Sequence, residues 1–399
     1  MIVTLVMDQY GDVTNGTTAT AMQLARILRE HGHTVRVVTC IEGVNEDNVY
    51  LVPKREFPLV MKIIRSQGME FAYPDKGVLT SAIRGADIVH FFLPFKLAKV
   101  GKMISDKYHI ASSAAFHLQP ENITYSVKLN KLKLVHTAIY KGFELFYDKF
   151  THIHCPSQMV ADILSGYNYR PTKHVISNGV ADWYEKTQSD RPEELKDKYL
   201  IMMSGRFSRE KRQDLIIKAV AGSKYRDKIK LIFCGKGPWQ EYLVGLSQKL
   251  LPADNQPIFK FCDKQELRDT INYCDLYIHA SDAEIEAISC MEAFTCGLVP
   301  VISDSPTTAT GQFALCERNL FRAGDEKDLR AKIEYFIENP EEKQKLSEQY
   351  LEYAKQYRVE NCVSEMEKMF EQVIAENREK WGGKVGLSDE EYEAGKTQV

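Results

Sequence analysis

The sequence predicts an α/β fold made of two doubly wound domains, each with its own parallel sheet. Two observations lead to this prediction. Short apolar segments alternate with helical segments along most of the 399 residues, which is typical of parallel sheets. A polar stretch at 181–198 divides this alternation into two series of similar length. A chain of this length suffices for two domains that each bury a core.

The individual elements follow from apolar runs and the turn residues between them. In the first series, strands are predicted at 2–7, 34–40, 86–92, 110–117, 151–157 and 173–180, with a helix that stops at Gly32. In the second series, strands are predicted at 199–205, 230–238, 258–262, 276–279 and 298–302. We therefore predict domains at residues 1–182 and 183–358, a further helix at 359–381 and a flexible tail at 382–399.

Composition excludes several classes of protein. The net charge of −3 argues against a general nucleic-acid binder. The nine cysteines include no Cys-x-x-Cys pair, so buried reduced thiols are expected. The N-terminal segment lacks a basic region typical of a signal peptide, and no apolar run approaches 18 residues. A cytoplasmic protein is expected, with attachment to the inner face of the membrane still open.

The most informative segment is 280–301, in which a strand leads into an acidic loop, a helix and a second strand. Glu284 lies in the loop, Glu292 in the helix, and Gly297 precedes the second strand. Residues eight apart on a helix differ by roughly 80° and about 12 Å along its axis. The two glutamates therefore suit the two ends of one ligand better than a paired acid and base. An isolated pair of this kind is more often two solvated glutamates on an amphipathic helix.

This Glu-x7-Glu motif resembles the donor-site motif of retaining glycosyltransferases of family 4, and other markers follow in that family's order. They are Gly32-His33, Pro156-Ser157, Asn178-Gly179-Val180, Gly205-Arg206 with Lys211, and Gly235-Lys236-Gly237-Pro238. The resemblance covers nearly the whole chain. It implies the GT-B fold, in which two Rossmann-like domains face each other across a cleft, with the acceptor bound by the first domain and the nucleotide sugar by the second. It also implies that the final helix crosses back to the first domain and that the anomeric configuration is retained.

The resemblance implies roles for residues of the second domain. Glu284 would bind hydroxyls of the donor sugar, and Glu292 would bind the ribose. Arg206 and Lys211 would reach the diphosphate, where Arg binds two oxygens at once and Lys acts as a point charge. The expected donor-binding residues are Gly205, Gly237, Ile288, Ser289 and Glu292, with Gly16 and Thr17 from the first domain. The loop of Gly237 either borders the nucleotide base or is only a turn.

On the acceptor side, His117 ends an alternating run just before a polar turn. The family places a histidine here, in the cleft near the anomeric carbon, so His117 is a candidate catalytic residue with Arg206, Lys211 and Glu284. A lone histidine at a strand end is more often structural. Gln119, Glu121 and Asn122 are candidate acceptor-binding residues.

Neither a cofactor nor a metal is expected to be required. No Asp-x-Asp motif stands in the expected position, and no His/Cys cluster has the spacing of a zinc site. Charge on the leaving diphosphate would be met by Arg206, Lys211 and the helix N-terminus, with a UDP-hexose as substrate. The residues after Val301 depart from the family's Gly-Gly-x-x-Glu pattern, so sugar contacts there are not carried over.

Segment 126–150 has apolar residues at helical spacing and an excess of lysines, and 95–108 is also basic. Basic amphipathic helices lie on anionic bilayers. The expected membrane-contact residues are Lys128, Lys131, Lys133 and Lys141. The alternative is an apolar stripe packed in the core beneath a solvated basic face.

These observations favour transfer of glucose or galactose from a UDP-sugar to a membrane lipid such as diacylglycerol or a glycolipid. Three alternatives remain: a glycosyltransferase for a cell-envelope polysaccharide, a UDP-sugar 2-epimerase, and a non-catalytic GT-B partner subunit. Acceptor-dependent transfer, turnover of donor alone and absence of turnover distinguish them.

Overall fold

The computed structural model describes residues 1–11, 16–56, 70–126 and 132–396, with Ser126 and 393–396 by their backbone alone. The described residues form two compact units. Unit 1 falls within Met1–Pro120, Lys131–Asn178 and Glu360–Val399, and unit 2 within Glu121–Asn130 and Gly179–Val359. The main boundary thus follows Asn178, four residues before the predicted one, and Glu121–Asn130, predicted within the first domain, belongs to unit 2.

Unit 1 contains a parallel sheet of seven described strands in the order β3-β2-β1-β4-β5-β6-β7. Its central strands are buried on both faces, as is typical of parallel sheets, whereas the edge strands are partly exposed. The strands are β1 (Ile2–Val6), β2 (Thr34–Thr39), β3 (Val49–Leu51), β4 (Ile88–Phe91), β5 (Ala111–Ala115), β6 (His152–Cys155) and β7 (Thr172–Val175).

Unit 2 contains a parallel sheet of six described strands in the order β10-β9-β8-β11-β13-β15, and a small pair, β12-β14. The strands are β8 (Tyr199–Ser204), β9 (Ile229–Cys234), β10 (Ile258–Lys260), β11 (Leu276–His279), β12 (Ala283–Glu284), β13 (Pro300–Ser303), β14 (Thr307–Thr308) and β15 (Leu320–Phe321). The prediction of two doubly wound parallel sheets is confirmed. The stretch 181–198, predicted as a linker, instead contributes Tyr184 and Leu195 to the core of unit 2.

The described helices, in chain order, are α1 (Gly16–Glu30), α2 (Lys76–Ile83), α3 (Lys96–Lys107), α4 (Pro120–Ser126), α5 (Lys133–Tyr147), α6 (Gln158–Gly166), α7 (Gln213–Ala221), α8 (Gln240–Leu250), α9 (Lys264–Tyr273), α10 (Ile288–Thr295), α11 (Glu326–Glu338), α12 (Pro340–Tyr353), α13 (Val359–Lys380) and α14 (Asp389–Lys396). Several begin with side-chain caps, such as Ser157 before α6 and Asp263 before α9. In these described ranges no helix has the length and apolarity that a membrane span needs.

Helix α13 packs on unit 1 through three contacts between glutamates and histidines. Glu367 Oε1 lies 2.9 Å from both His31 Nδ1 and His33 Nε2. Further along α13, Glu376 Oε2 lies 2.6 Å from His152 Nε2. Apolar residues of α13, among them Phe370, complete the core beneath these contacts. Helix α13 is therefore a structural wall of unit 1.

The tail differs from the flexible segment predicted at 382–399. Residues 389–396 form α14, and Tyr108 donates a 2.6 Å hydrogen bond to Asp389. The backbone N–H of Leu387 also donates to the carbonyl of Tyr108 at 3.1 Å. An acidic, polar composition suggested fraying, whereas these contacts with α3 order the segment.

Candidate active site

The candidate site in unit 2 lies where the strand order reverses. Strands β9 and β10 extend to one side of β8, whereas β11, β13 and β15 extend to the other. In doubly wound sheets, ligands bind at the carboxyl ends of the two strands that flank this switch point. Gly205 and Arg206 follow β8, and Glu284 follows β11. The topology therefore brings both predicted sequence motifs to one edge of the sheet.

At this edge, Lys211 and Glu284 form a direct ion pair between Nζ and Oε1. His279 Nε2 lies 3.3 Å from the same carboxylate oxygen. Burial by itself would raise the pKa of the Glu284 carboxyl, but the charge of Lys211 and the contact with His279 outweigh it, and the pKa falls to about 2. Glu284 is thus a buried carboxylate that stays ionised, and its oxygens can accept hydrogen bonds from sugar hydroxyls.

A second network holds the loop that carries Glu284. Arg212, whose φ of +56° is unusual for a residue other than glycine, lies 3.2 Å from Asp282 Oδ2. Tyr125 of α4 donates to the same oxygen at 3.0 Å. The carbonyl of Asp282 accepts from Ser305 at 2.7 Å and from Thr307 at 2.6 Å. Arg212 is therefore an internal ion-pair partner of the loop that carries Glu284.

Helix α10 begins beside Glu284 and directs its N-terminus to this edge. The residue before it, Ala287, has φ +71°, so the chain turns sharply into the helix. Among the described residues, the backbone N–H groups of Ile288 and Ser289 have no protein acceptor. Free N–H groups at a helix N-terminus favour an anion such as a phosphate. The donor-binding role of both residues stays a prediction.

Glu292, on the same helix, lies in a different environment from Glu284. Burial raises the pKa of its carboxyl to about 7, against the lowering effects of a hydrogen bond with Tyr184 and of the charge of Lys264. It has no close cation to match the pairing of Glu284 with Lys211. The two glutamates of the motif therefore differ in protonation near neutral pH, which their spacing did not reveal.

We expect Glu292→Gln to be more stable than the wild type at pH 8, with a smaller gain at pH 5. The pKa in the folded state is above the usual value for glutamate, so the stabilisation that protonated Glu292 provides is lost as pH rises through 7. The amide keeps the shape without the charge. The gain in the free energy of unfolding should be about 1 to 3 kcal/mol at pH 8, measured by urea unfolding. The exposed control Glu352→Gln should show no such gain, and parallel pH profiles for Glu292→Gln and wild type would contradict the prediction.

Gly235 and Gly237 let two loops of unit 2 approach closely at the switch point. A Cβ built on Gly235 would lie 2.0 Å from the carbonyl oxygen of Gly205, and one on Gly237 would lie 2.2 Å from that of Phe207. Gly205 itself has φ +149°. Lys211 runs alongside, with its Cε 3.9 Å from the position of a Cβ on Gly205. The second loop therefore supports the one that carries Arg206 and Lys211.

Arg206 is half-buried, and its carbonyl accepts a 3.0 Å hydrogen bond from Gln213 Nε2. Burial lowers the pKa of its guanidinium. Arg209, in contrast, is exposed and lies over the Trp239 ring at 5.5 Å. The two arginines thus differ in their surroundings, and a role of Arg206 in binding the diphosphate stays a prediction.

In unit 1, His117 is buried just beyond the end of β5 and stacks on Phe92 with ring centroids 5.6 Å apart. Its Nε2 has no hydrogen-bond partner among the described residues. It lines a cavity of about 20 Å³ with His90 and His154. Burial, then the neighbouring His154 and His90, lowers its pKa well below the usual value. His117 is therefore a neutral imidazole, able to donate or accept one hydrogen bond.

The remaining predicted residues fall in three places. Gly16 and Thr17 begin α1, at the carboxyl side of β1. Gln119 and Glu121 are buried and Asn122 is half-buried, at the start of α4. Lys133 and Lys141 are exposed on α5, whereas Lys128 and Lys131 lie outside the described residues.

The predicted apolar stripe of α5 is only partly correct. Its core-facing residues are Tyr140, Phe146 and Tyr147, with Phe150 just beyond the helix. Leu134 and Leu145 are 86% and 75% exposed. The tyrosines take the buried positions because their rings pack against Phe116, so two leucines remain on the outer face.

Sequence reasoning missed three supporting residues. His279 carries a signal, because it ends a buried strand five positions before Glu284. Tyr184 and Asp282 carry none, since their partners Glu292 and Tyr125 are far away in sequence. In the part of the chain that is described, no group of three or more His, Cys, Asp or Glu residues has the geometry of a metal site. Independence from a metal stays a prediction.

A buried carboxylate, cations and a free helix N-terminus at the switch point of a doubly wound unit are the parts that bind an anionic nucleotide and a polyhydroxylated group. Family comparisons agree. Residues 14–182 match Glycosyltransferase Family 4, and residues 185–356 match Glycosyl transferases group 1. The chain belongs to the family 4 glycosyltransferases and is a glycosyltransferase with the GT-B fold.

Individual relatives are more distant. The chain is 26% identical over 325 residues to the alpha-monoglucosyldiacylglycerol synthase of Streptococcus pneumoniae, covering 76% of this chain and 71% of the relative. Anabaena Alr3699/HepE in complex with UDP and glucose superposes with a TM-score of 0.71 at 16% identity, over 93% of this chain and 98% of that one. The catalytic domain of the cholesterol-alpha-glucosyltransferase of Helicobacter pylori is 45% identical over 40% of this chain and 98% of its own, but its TM-score of 0.38 supports no structural inference.

Proposed function

We propose that the protein transfers a hexose, with glucose the first candidate and galactose the second, from a UDP-sugar to a membrane-lipid acceptor such as diacylglycerol or a glycolipid. The observation that carries the proposal is the Lys211–Glu284 ion pair at the switch point, beside the N-terminus of α10. The donor is supported by a structural neighbour that holds UDP and glucose. The lipid acceptor is supported by the relative that synthesises a glucosyldiacylglycerol.

In this proposal, separate residues bind the diphosphate, the sugar and the ribose of the donor. Lys211, Arg206 and the N–H groups of Ile288 and Ser289 offer positive charge to the diphosphate as negative charge develops on it. Because Glu284 remains ionised, it would bind and orient sugar hydroxyls while Lys211 turns partly toward the phosphate. Glu292 would accept hydrogen bonds from the ribose. Retention of the anomeric configuration and independence from a metal belong to this proposal.

Transfer to lipid is tested directly with vesicles. The protein is incubated with radiolabelled UDP-glucose or UDP-galactose and vesicles of phosphatidylglycerol that contain diacylglycerol, and the organic extract is analysed by mass spectrometry. We expect a labelled hexosyldiacylglycerol that depends on the acceptor. The exposed control Arg209→Ala should keep this activity. Label confined to a new UDP-sugar would indicate the epimerase, and absence of lipid product with every donor would contradict the proposal.

We further propose that the outer face of α5, defined as Leu134, Leu145, Lys133 and Lys141, contacts the inner face of the cell membrane. Two strongly exposed leucines beside lysines combine apolar surface with positive charge, which suits an anionic interface. This arrangement differs from the predicted one, because only lysines were predicted to contact the membrane.

Replacing both leucines of this face, as Leu134→Asn/Leu145→Asn, should weaken pelleting with phosphatidylglycerol vesicles by about tenfold. Each leucine that inserts partly into the interface contributes on the order of 1 kcal/mol. Leu51→Asn is the control, since Leu51 is 47% exposed in unit 1 but away from α5. The folded state of the variants is checked by circular dichroism. Equal pelleting of the double variant and the control would rule out this face as the contact.

A further inference from the structure

A second cavity, of about 270 Å³, lies in unit 1 at the opposite edge of the sheet from His117. Ile110 and Ser112 line it at the start of β5, and Thr151 lines it just before β6. His117 instead follows the carboxyl end of β5. The cavity is therefore separate from the edge at which the acceptor-side residues lie.

Three lysines from separate elements line this cavity: Lys102 from α3, Lys149 just after α5, and Lys380 at the end of α13. Lys102 is buried, with 8% of its side chain exposed, and forms an ion pair with Asp106. Among the residues that are described, Lys149 and Lys380 have no carboxylate within ion-pair distance. Both side chains are exposed, and Lys380 Nζ lies 5.1 Å from the centroid of the Trp381 ring, so each remains available to an anion.

The carboxylates that line the cavity are engaged with other groups. Asp106 is paired with Lys102, and Glu376 lies against His152. Burial lowers the pKa of Lys102 against the opposing effect of Asp106, and the charges of Lys380 and Lys149 lower it further. Because all three lysines line one cavity, an anion between them would reduce the repulsion among their charges.

One wall of the cavity is formed by two aromatic rings. The rings of Trp381 and His109 stack with centroids 3.5 Å apart. His109 has φ +54° and is held by a 2.8 Å hydrogen bond from Asn377 Nδ2 to its carbonyl. Its Nδ1 lies 3.0 Å from the carbonyl of Lys384. The chain after α13 thus closes one side of the cavity.

We propose that this cavity binds a phosphate group, carried by a small soluble ester or by an anionic lipid headgroup, with Lys149 and Lys380 as its main partners and Lys102 behind them. Lysine binds phosphate as a point charge from many directions. The volume is close to the lower end of small-molecule sites, so a phosphate with a short organic group fits. The proposed phosphate site does not depend on which donor and acceptor the enzyme uses.

The first test titrates inorganic phosphate and glycerol 3-phosphate into the full chain at constant ionic strength, followed by calorimetry. Lys149→Gln/Lys380→Gln should lower the affinity by roughly a hundredfold, since one hydrogen bond to a charged group contributes about tenfold. The control Lys355→Gln/Lys368→Gln removes the same charge from exposed positions elsewhere. If phosphate instead binds at the donor site, Lys149→Gln/Lys380→Gln would leave its affinity unchanged.

A second arm identifies the source of the phosphate. Pelleting with vesicles of phosphatidylglycerol in phosphatidylcholine is compared with pelleting by phosphatidylcholine alone. Loss of phosphate-ester affinity in Lys149→Gln/Lys380→Gln assigns a soluble ligand. Weaker pelleting by phosphatidylglycerol, without ester binding by the wild type, assigns a lipid headgroup. If this variant matches the control in both arms, the lysines are merely solvated and the proposal is wrong.

Discussion

Lys211→Ala is expected to lower kcat by about 10² to 10³, the usual effect of removing one fixed group that stabilises charge in the transition state. Its ion pair with Glu284 keeps Lys211 at the carboxyl edge of the sheet, from which its ammonium group has only to turn partly to meet a diphosphate. Arg206→Ala should have a similar effect. Steady-state assays with saturating UDP-glucose measure it, and Lys218→Ala is the control because Lys218 pairs with Asp214 on α7, outside the site.

The same change should also alter stability in a pH-dependent way. With Lys211 present, the folded-state pKa of Glu284 is about 2, so its stabilisation is present above the unfolded pKa and is lost as pH falls toward 2. Without Lys211, burial raises that pKa and the stabilisation is absent at pH 7. The loss in free energy of unfolding should therefore be larger at pH 7 than near pH 3. A loss of equal size at both values would show that the ion pair is not the cause.

Gly235→Ala is expected to destabilise unit 2 by about 3 kcal/mol or more, which places it among the strongest single substitutions. The new Cβ would overlap the carbonyl oxygen of Gly205, and Gly235 has φ +158°, which strains any other residue. Backbone cannot move aside as a flexible side chain can. Urea unfolding measures the change, and donor affinity should fall with it because Gly205 carries the Arg206 loop.

Gly245→Ala is the matched control for this substitution. Gly245 lies in the interior of α8, and a Cβ there would meet nothing within 4 Å. Alanine should stabilise that helix by about 0.5 to 1 kcal/mol. Two Gly→Ala changes in one unit are thus expected to have opposite signs. A mild effect at position 235 would show that the two loops are not in close contact.

The sequence predicted the fold well because the relevant signals are local. Strand β11 has the predicted bounds, since an apolar run between polar residues marks a buried strand. The position of Glu284 and Glu292 at the switch point followed from the order of strands and helices. Strand β13 begins two residues later than predicted, because Gly297 with φ +77° ends α10 and the chain needs Leu298 and Val299 to reach the sheet.

What the sequence did not predict depends on contacts between distant residues. The raised pKa of Glu292 results from burial and is opposed by a hydrogen bond with Tyr184, more than a hundred positions away. In the sequence, Lys102 is one of several lysines on a basic helix and would be expected at the surface, but in the structure it is buried. Helical spacing alone also did not separate Leu134, which is exposed, from Tyr140, which is buried.

Unit 1 is assembled from chain segments that are synthesised far apart in time. Its sheet is complete by Val175, but the wall formed by α13 emerges from the ribosome only after all of unit 2. Until then, the core positions that Phe370 fills and the histidines that meet Glu367 and Glu376 lack their partners. The second half of this protein can therefore mature before the first, and a nascent chain arrested near residue 360 would expose a surface suited to chaperones.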